Sequence, residues 1–290
     1  MTAQANRIEV RGSGGVRLVA WEFAEPPESA PAAPGRPGVL LLHGLMGQAA
    51  HWEAVAGRLA GRYRMVGLDQ RWHGHSAKPA AGPFGPETFV ADAEAVVEQL
   101  GLGPVALIGH AMGALTAWRL AARRPDLVSA VVVCDMRAAA RGAASQLRWQ
   151  RWLASWPLPF ESRAAARRWF AEEDPALDRP RPARGEFFAR VMTRRADGWR
   201  PVFSRRQILC IREGWAYDAH WEELAQVPCP TLVLRGLDGE LGRAEAQEMV
   251  RVLPQGSYAD IPDAGHLAHL ERPEEWRERV EKFLAETQGG

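Results

Sequence analysis

The stretch 105–115 limits most strongly what this chain can fold into. An apolar run ends in Gly109-His110-Ala111-Met112-Gly113, and a helical spacing of apolar residues begins at once. The pattern therefore predicts a strand, an abrupt turn and a helix. Such a turn forces its central residue into strained backbone angles and leaves little room beside it, which suits the two glycines. The helix that follows presents unpaired N–H groups and the positive end of its dipole, so a reacting group is expected at this turn.

Similar apolar runs recur along the chain, separated by segments with the period of amphipathic helices. The predicted strands lie at 7–10, 16–23, 38–42, 63–68, 105–108, 127–134, 230–236 and 257–261. The first two form a hairpin around a glycine-rich turn. Strands that alternate with helices imply right-handed crossovers, a mostly parallel sheet and an active site at the carboxyl ends of the strands. Ala111, Asp135 and His266 each follow a predicted strand directly.

Composition narrows the class of protein. The chain has 290 residues, 47% hydrophobic and 24% charged, which is ordinary for one large globular domain with an insertion. A net charge of +1 provides no field for nucleic acid or an anionic membrane. Cys134, Cys210 and Cys229 lack disulfide or zinc-site spacing, and neither a signal peptide nor a membrane span is visible. We therefore expect a cytoplasmic protein, and the sequence leaves its oligomeric state open.

Four motifs occur in a fixed order along the chain. They are His43-Gly44-Leu45-Met46-Gly47, the loop Asp69-Gln70-Arg71-Trp72-His73-Gly74-His75-Ser76, the Gly-x-Ala-x-Gly turn at 109–113, and Gly265-His266 followed by Glu271-Arg272-Pro273. Together they resemble the α/β-hydrolase fold superfamily. The resemblance implies a mostly parallel, doubly wound, eight-stranded sheet with an inserted helical lid, and no metal or organic cofactor. Trp72 stands where that family usually has glycine, and it either narrows the pocket mouth or covers the sheet edge.

The resemblance also implies roles for individual residues. Ala111 takes the nucleophile position of the Gly-x-Ser-x-Gly elbow, and His266 takes that of the catalytic base. The backbone N–H groups of Leu45 and Met112 would hold the oxyanion. His43 and His110 are assigned to the substrate-binding surroundings, although His110 is also placed to support the turn from below.

The acid that orients His266 has two candidates. Asp135 follows one strand, and Asp238 lies in the loop after the next. The family's commoner acid stands three residues beyond the glycine of that second loop, and here that place is Gly239. Members that lack this acid usually carry an aspartate where Asp135 stands, so we favour Asp135.

The strand and helix rhythm stops between Met136 and about Val227. This stretch contains seven of the twelve tryptophans among arginines and prolines. We interpret 136–227 as a lid inserted into a core domain of 1–135 and 228–290, with 25–37 as an exposed connection. Trp149 and Trp152 are assigned to the substrate site, with packing inside the lid as the alternative. Aromatic walls would suit a bulky apolar or aromatic small molecule.

Three functions compatible with the resemblance compete, because alanine has no atom that can attack a carbonyl. In the favoured one, an ester or lactone hydrolase carries an inactivating Ser→Ala substitution at position 111. In the second, alanine is natural and His266 serves as base in a lyase, cyclase or cofactor-free oxygenase. In the third, the chain is a small-molecule receptor without catalysis.

Overall fold

The main sheet has eight strands, and the sequence prediction of a mostly parallel, doubly wound α/β fold is confirmed. The computed structural model describes residues 5–24 and 35–288, so most of the predicted connection 25–37 lies outside the described residues. The strands of the sheet are, in chain order, β1 (Ala5–Arg11), β2 (Arg17–Phe23), β3 (Gly38–Leu42), β4 (Arg64–Asp69), β5 (Val105–His110), β6 (Val128–Cys134), β9 (Thr231–Gly236) and β10 (Gly256–Ile261).

The spatial order of the strands is β1-β2-β4-β3-β5-β6-β9-β10. The pairs β1/β2 and β2/β4 are antiparallel, and every later pair is parallel. β3 and β5 therefore lie side by side at the centre, where the chain order reverses direction across the sheet. In such sheets the crevice at the carboxyl ends of the central strands is the usual place for a ligand.

Helices cover both faces of the sheet. Those outside the segment between β6 and β9 are α1 (Glu53–Leu59), α2 (Pro86–Gln99), α3 (Met112–Arg123), α9 (Arg243–Val252), α10 (Ala268–Glu271) and α11 (Pro273–Gln288). In β3, Leu40 and Leu42 pack into one hydrophobic cluster and Val39 and Leu41 into the other. A strand covered on both faces must be apolar at every position, which explains the unbroken apolar run that the sequence shows.

The segment between β6 and β9 contains a π-helix at Trp169–Glu173, five α-helices and a two-stranded hairpin. The α-helices are α4 (Gly142–Ser155), α5 (Arg163–Arg168), α6 (Pro182–Arg190), α7 (Arg205–Ala216) and α8 (Trp221–Ala225), and the strands of the hairpin are β7 (Met192–Arg195) and β8 (Gly198–Pro201). The hairpin was not among the predicted elements. The division of the chain into a core and a lid domain at 136–227 stays a prediction. None of the helices within the described residues is long and apolar enough to span a bilayer.

Aromatic side chains form the interior of this inserted segment. Phe170 and Phe188 stack with ring centroids 4.2 Å apart, and Trp156 meets both rings edge to face. Trp72, in contrast, is buried with the core helices, where it packs against Phe84 and donates its Nε1–H to the Pro79 carbonyl at 2.9 Å. Trp72 is therefore buried and does not stand exposed at a pocket mouth.

The glycine at position 113 allows α3 to begin close against β3. A Cβ built on Gly113 would lie 2.1 Å from the Leu42 carbonyl oxygen, which is main chain and has little freedom to move.

We predict that Gly113→Ala lowers the free energy of unfolding by about 1–3 kcal/mol through overpacking, measured by guanidinium denaturation. Gly242→Ala is the control, because nothing lies within 4 Å of the Cβ built there. Equal stability of the two variants would contradict this account.

Candidate active site

Ala111 occupies the turn between β5 and α3 with φ 47° and ψ −119°. A non-glycine residue in such a conformation costs about 1–3 kcal/mol and persists only where its surroundings hold it. Its N–H donates to the Cys134 carbonyl at 2.9 Å, which ties the turn to the end of β6. A Cβ built on Gly44 would lie 3.3 Å from the Ala111 Cβ. The loop after β3 therefore lies directly against the strained turn.

Backbone N–H groups at these adjoining turns are left free, among them those of Leu45 and Met112. From Met46 to Ala49 every N–H has an acceptor inside the protein. The acceptors are, in chain order, His73 Nε2 at 3.0 Å, the Gly44 carbonyl at 2.9 Å, His51 Nδ1 at 3.1 Å and Asp69 Oδ1 at 2.8 Å. Across residues 5–24 and 35–288, no group accepts a hydrogen bond from the Leu45 or the Met112 N–H. Free donors at neighbouring turns are what an oxyanion hole requires, and that role stays a proposal for both residues.

Buried neutral histidines anchor the loop that carries Leu45. His73 accepts from the Met46 N–H and donates its Nδ1–H to the Arg71 carbonyl at 2.8 Å, and His51 follows the same pattern between Gln48 and Phe187. Burial, reinforced by the neighbouring His43, lowers the pKa of each ring to about 3. Sequence reasoning missed both residues, because nothing in their spacing distinguishes a hydrogen-bond acceptor from any other core histidine.

His43 has the same role on the other side of this loop. It accepts from the Gln70 N–H at 3.0 Å and donates its Nδ1–H to the Gly44 carbonyl at 2.8 Å. The side chain is buried and both ring nitrogens are occupied, so the geometry favours a supporting role. Its predicted contact with substrate stays a prediction.

Asp135 and His266 are brought together across the end of the sheet. His266 Nδ1 lies 2.6 Å from Asp135 Oδ2, and this contact is called the Asp135–His266 pair below. The carboxylate is buried and also accepts from the backbone N–H groups of Glu240 at 2.9 Å and Leu241 at 3.0 Å. Three donors hold the carboxylate, so it can fix the orientation and the tautomer of the imidazole.

The alternative acid lies elsewhere. The Asp238 carboxylate is paired with Arg179, and nearly half of its side chain is exposed. Gly239, where the family's commoner acid stands, is packed against Asp135, and a Cβ built there would lie 2.5 Å from Asp135 Oδ1. With Asp135 in this place, position 239 has no room for a side chain.

His110 is buried beneath the Asp135–His266 pair. It donates its Nε2–H to the His266 backbone carbonyl at 2.8 Å, and the two rings are 4.5 Å apart. Burial, with the charge of His266 next in importance, lowers the pKa of His110 to about 3, so the ring is neutral. This contact agrees with a support for the turn, and contact with substrate stays a prediction.

The pKa of His266 is shifted upward, whereas the pKa values of the buried histidines are shifted downward. Burial lowers its pKa, but the nearby Glu240 carboxylate and the hydrogen bond to Asp135 outweigh burial and raise the pKa to about 9. About one third of the side chain is exposed, so the ring is reachable from outside. The two carboxylates therefore favour the protonated imidazole.

The two tryptophans assigned to the substrate site lie within the aromatic interior of the inserted segment. Trp152 donates its Nε1–H to Asp174 at 2.8 Å and packs edge to face against Trp149 and Trp156. Trp149 also covers the guanidinium of Arg212, at 4.9 Å from the ring centroid. Both indoles are half-buried, and their contact with substrate stays a prediction.

The histidines set the expected dependence of stability on pH. His51, His73 and His110 titrate near pH 3 in the folded protein and near 6.5 when unfolded, so below pH 6.5 only the unfolded state takes up their protons. The free energy of unfolding is expected to fall by about 1.4 kcal/mol per pH unit for each such histidine as pH drops from 6.5. His266 acts in the other direction, because its folded pKa is raised and its contribution is lost as pH rises through 9.

Urea denaturation between pH 5 and 9 measures this dependence, with a maximum of stability expected near pH 6.5. His51→Gln is the control, because it removes one titrating ring and should flatten the acid side. A stability that is constant between pH 7 and 5 would show that these rings take up protons in the folded state.

Comparison with known proteins agrees with this architecture. A sequence model described as the alpha/beta hydrolase family matches residues 39–279. The chain is 28% identical to a 2-(acetamidomethylene)succinate hydrolase of Mesorhizobium japonicum, over 86% of this chain and 88% of that protein. It is 27% identical to an sn-1-specific diacylglycerol lipase of Mus musculus, over 86% of this chain and 81% of that protein.

Solved structures show the same fold. The crystal structure of E-2-(acetamidomethylene)succinate hydrolase superposes with a TM-score of 0.81 at 23% identity, and covers 97% of this chain and 99% of that one. The family match spans β3 to α11 and includes the turn at Ala111 and the Asp135–His266 pair. The chain therefore belongs to the alpha/beta hydrolase family.

Proposed function

We propose that this protein is the hydrolase of an ester or lactone bond in a bulky apolar or aromatic small molecule, and that its catalytic form carries serine at position 111. The observation that carries the proposal is the Asp135–His266 pair beside a strained strand-to-helix turn. The family relatives are named as hydrolases, which supports a hydrolase. Alanine at 111 is then an inactivating substitution.

The proposed reaction has two halves. The Oγ of a serine at 111 attacks the carbonyl carbon, His266 takes the hydroxyl proton, and the carbonyl oxygen becomes an oxyanion between the N–H groups of Leu45 and Met112. His266 then gives the proton to the leaving oxygen, and an acyl-enzyme forms. Water repeats the attack with His266 again as base, which releases the acid and restores the serine. Asp135 holds the imidazole and stabilises the imidazolium.

The inserted segment is proposed to act as the lid of this site. Its half-buried tryptophans would supply apolar wall to a substrate that displaces water on entry. We further propose that the protein works in the cytoplasm, that no cofactor takes part, and that neither nucleic acid nor a membrane is its partner.

Restoring the nucleophile tests the proposal. We predict that Ala111→Ser raises the rate of hydrolysis of aryl esters or aromatic lactones by about 10³-fold or more over the chain as it stands. Because the neutral imidazole is the base and the pKa of His266 is raised to about 9, kcat/KM should increase up to about pH 9. Steady-state kinetics from pH 6 to 10 measure both effects.

The double variant Ala111→Ser, His266→Ala is the control, and its rate should return to that of the original chain.

A second function rests on the observation that position 111 is alanine. If the original chain turns over a carbon acid and His266→Ala abolishes that turnover, alanine is natural and the chain is a lyase, cyclase or oxygenase. Saturable ligand binding without turnover by any of these proteins would indicate a receptor.

The choice of acid is tested in the Ala111→Ser background. Asp135→Asn should lower kcat by about 10²–10⁴-fold, because the amide favours the wrong imidazole tautomer. Asp238→Asn is the matched control and should change kcat less than about threefold, since an exposed carboxylate paired with Arg179 lies outside the proposed machinery. A larger loss for Asp238→Asn than for Asp135→Asn would contradict the assignment.

A further inference from the structure

Arg141 is connected to the candidate active site through a short series of contacts. It stands immediately before α4, and its backbone N–H donates to the Ala216 carbonyl at 2.7 Å. Its Nη1 lies 2.7 Å from Glu240 Oε2, and the Glu240 N–H donates to Asp135 at 2.9 Å. Asp135 in turn holds His266. An arginine of the inserted segment and the catalytic imidazole are thus linked by two acidic residues.

The donors of Arg141 are only partly used. Its side chain is mostly buried, and the only acid within 4.0 Å of it among the described residues is Glu240, reached by Nη1. The Nε–H is buried and has no acceptor within residues 5–24 and 35–288. A guanidinium presents Nε and one Nη side by side in the geometry that matches the two oxygens of a carboxylate. Arg141 therefore retains capacity for a second, bidentate acceptor.

A second guanidinium adds positive charge to the same region. Arg212 is 1% exposed, bonds to the neutral side chains of Ser145 and Gln146, and lies beside the rings of Trp149 and Trp215. Within the described residues, the acceptors of its guanidinium are these two neutral side chains and no acid. Burial, and then the charge of Arg141, lower its pKa to about 10. Arg212 thus adds a second buried positive charge beside Arg141 without an acidic partner of its own, and an unpaired buried charge is unfavourable.

The Glu240 carboxylate can leave Arg141 while its backbone stays hydrogen-bonded to Asp135. Nearly half of its side chain is exposed, so the carboxylate can turn into water. Its backbone N–H, rather than its side chain, holds Asp135. A competing anion could therefore displace the Glu240 carboxylate from Arg141 while the Asp135–His266 pair stays in place.

We propose that Arg141 binds a carboxylate of the substrate, and that Glu240 occupies this guanidinium in the free protein. The substrate is then an ester or lactone with an apolar body and one carboxylate. This inference rests on the proposed function, because it assigns a substrate class to that site. The same exchange explains why an exposed acid faces a mostly buried arginine beside the imidazole.

Binding of ligands to the chain with Ala111 tests this proposal, because without a serine at position 111 hydrolysis of the ligand should not disturb the measurement. The probes are benzyl hydrogen succinate and its neutral counterpart benzyl methyl succinate, titrated by calorimetry at pH 6. We predict that the acid binds about tenfold or more tightly than the diester. Arg141→Gln should abolish this difference, and Arg141→Lys, which keeps the charge but loses the fork, should retain only part of it.

Glu240→Gln distinguishes competition from a structural contact. If Glu240 competes with substrate, this variant binds the acid more tightly than the original chain, whereas Arg141→Gln binds it more weakly. If both variants weaken binding, the ion pair only stabilises the fold, and the inference is wrong. Arg137→Gln is the matched control, because Arg137 is also an arginine paired with an acid, Glu245. This variant should bind benzyl hydrogen succinate as tightly as the original chain does.

The same probes separate this inference from the proposed function. If Ala111→Ser hydrolyses neutral aryl esters and the chain shows no preference for the acid, the inference fails and the hydrolase stands. If Ala111→Ser hydrolyses no ester while binding of the acid still depends on Arg141, the hydrolase proposal fails and the carboxylate site stands.

Discussion

The site depends on the close approach of α3 to the end of β3. Gly113 lies so near the Leu42 carbonyl that no side chain fits between them, and Ala111, two residues earlier, has φ 47°. This approach brings the loop after β3 against the turn after β5. Both loops begin at the carboxyl ends of adjacent parallel strands, so they lie next to each other at one edge of the sheet.

Neutral imidazoles make that arrangement rigid. Each of His43, His51 and His73 accepts one backbone N–H and donates to one carbonyl, so a ring joins two loops with both nitrogens satisfied. Burial favours the neutral form that this pattern requires. His266 differs because two carboxylates surround it, so one residue type provides rigid support at some positions and a titrating group at another.

An ion pair connects the inserted segment to the loop that holds the Asp135–His266 pair. Phe170 and Phe188 pack within the segment itself, whereas Arg141 reaches across to Glu240 in the loop after β9. The aromatic interior therefore stabilises the segment, and the ion pair couples it to the acid that carries His266. In the proposed exchange, a substrate carboxylate would replace Glu240 at Arg141 and so break the ion pair between the inserted segment and the loop after β9.

The sequence by itself determined the sheet, the turn and the position of the histidine. Apolar runs such as 38–42 reflect burial on both faces, and the glycines at 109 and 113 reflect local steric limits, so both are legible without a structure. The tertiary structure decided how the acids are placed. Asp135 contacts His266, which is more than a hundred residues away in the sequence. Asp238 contacts Arg179, which is about sixty residues away. Both contacts are set by the packing of distant parts of the chain. The roles of His73, Glu240 and Arg141 likewise depend on contacts between distant segments, which local periodicity does not encode.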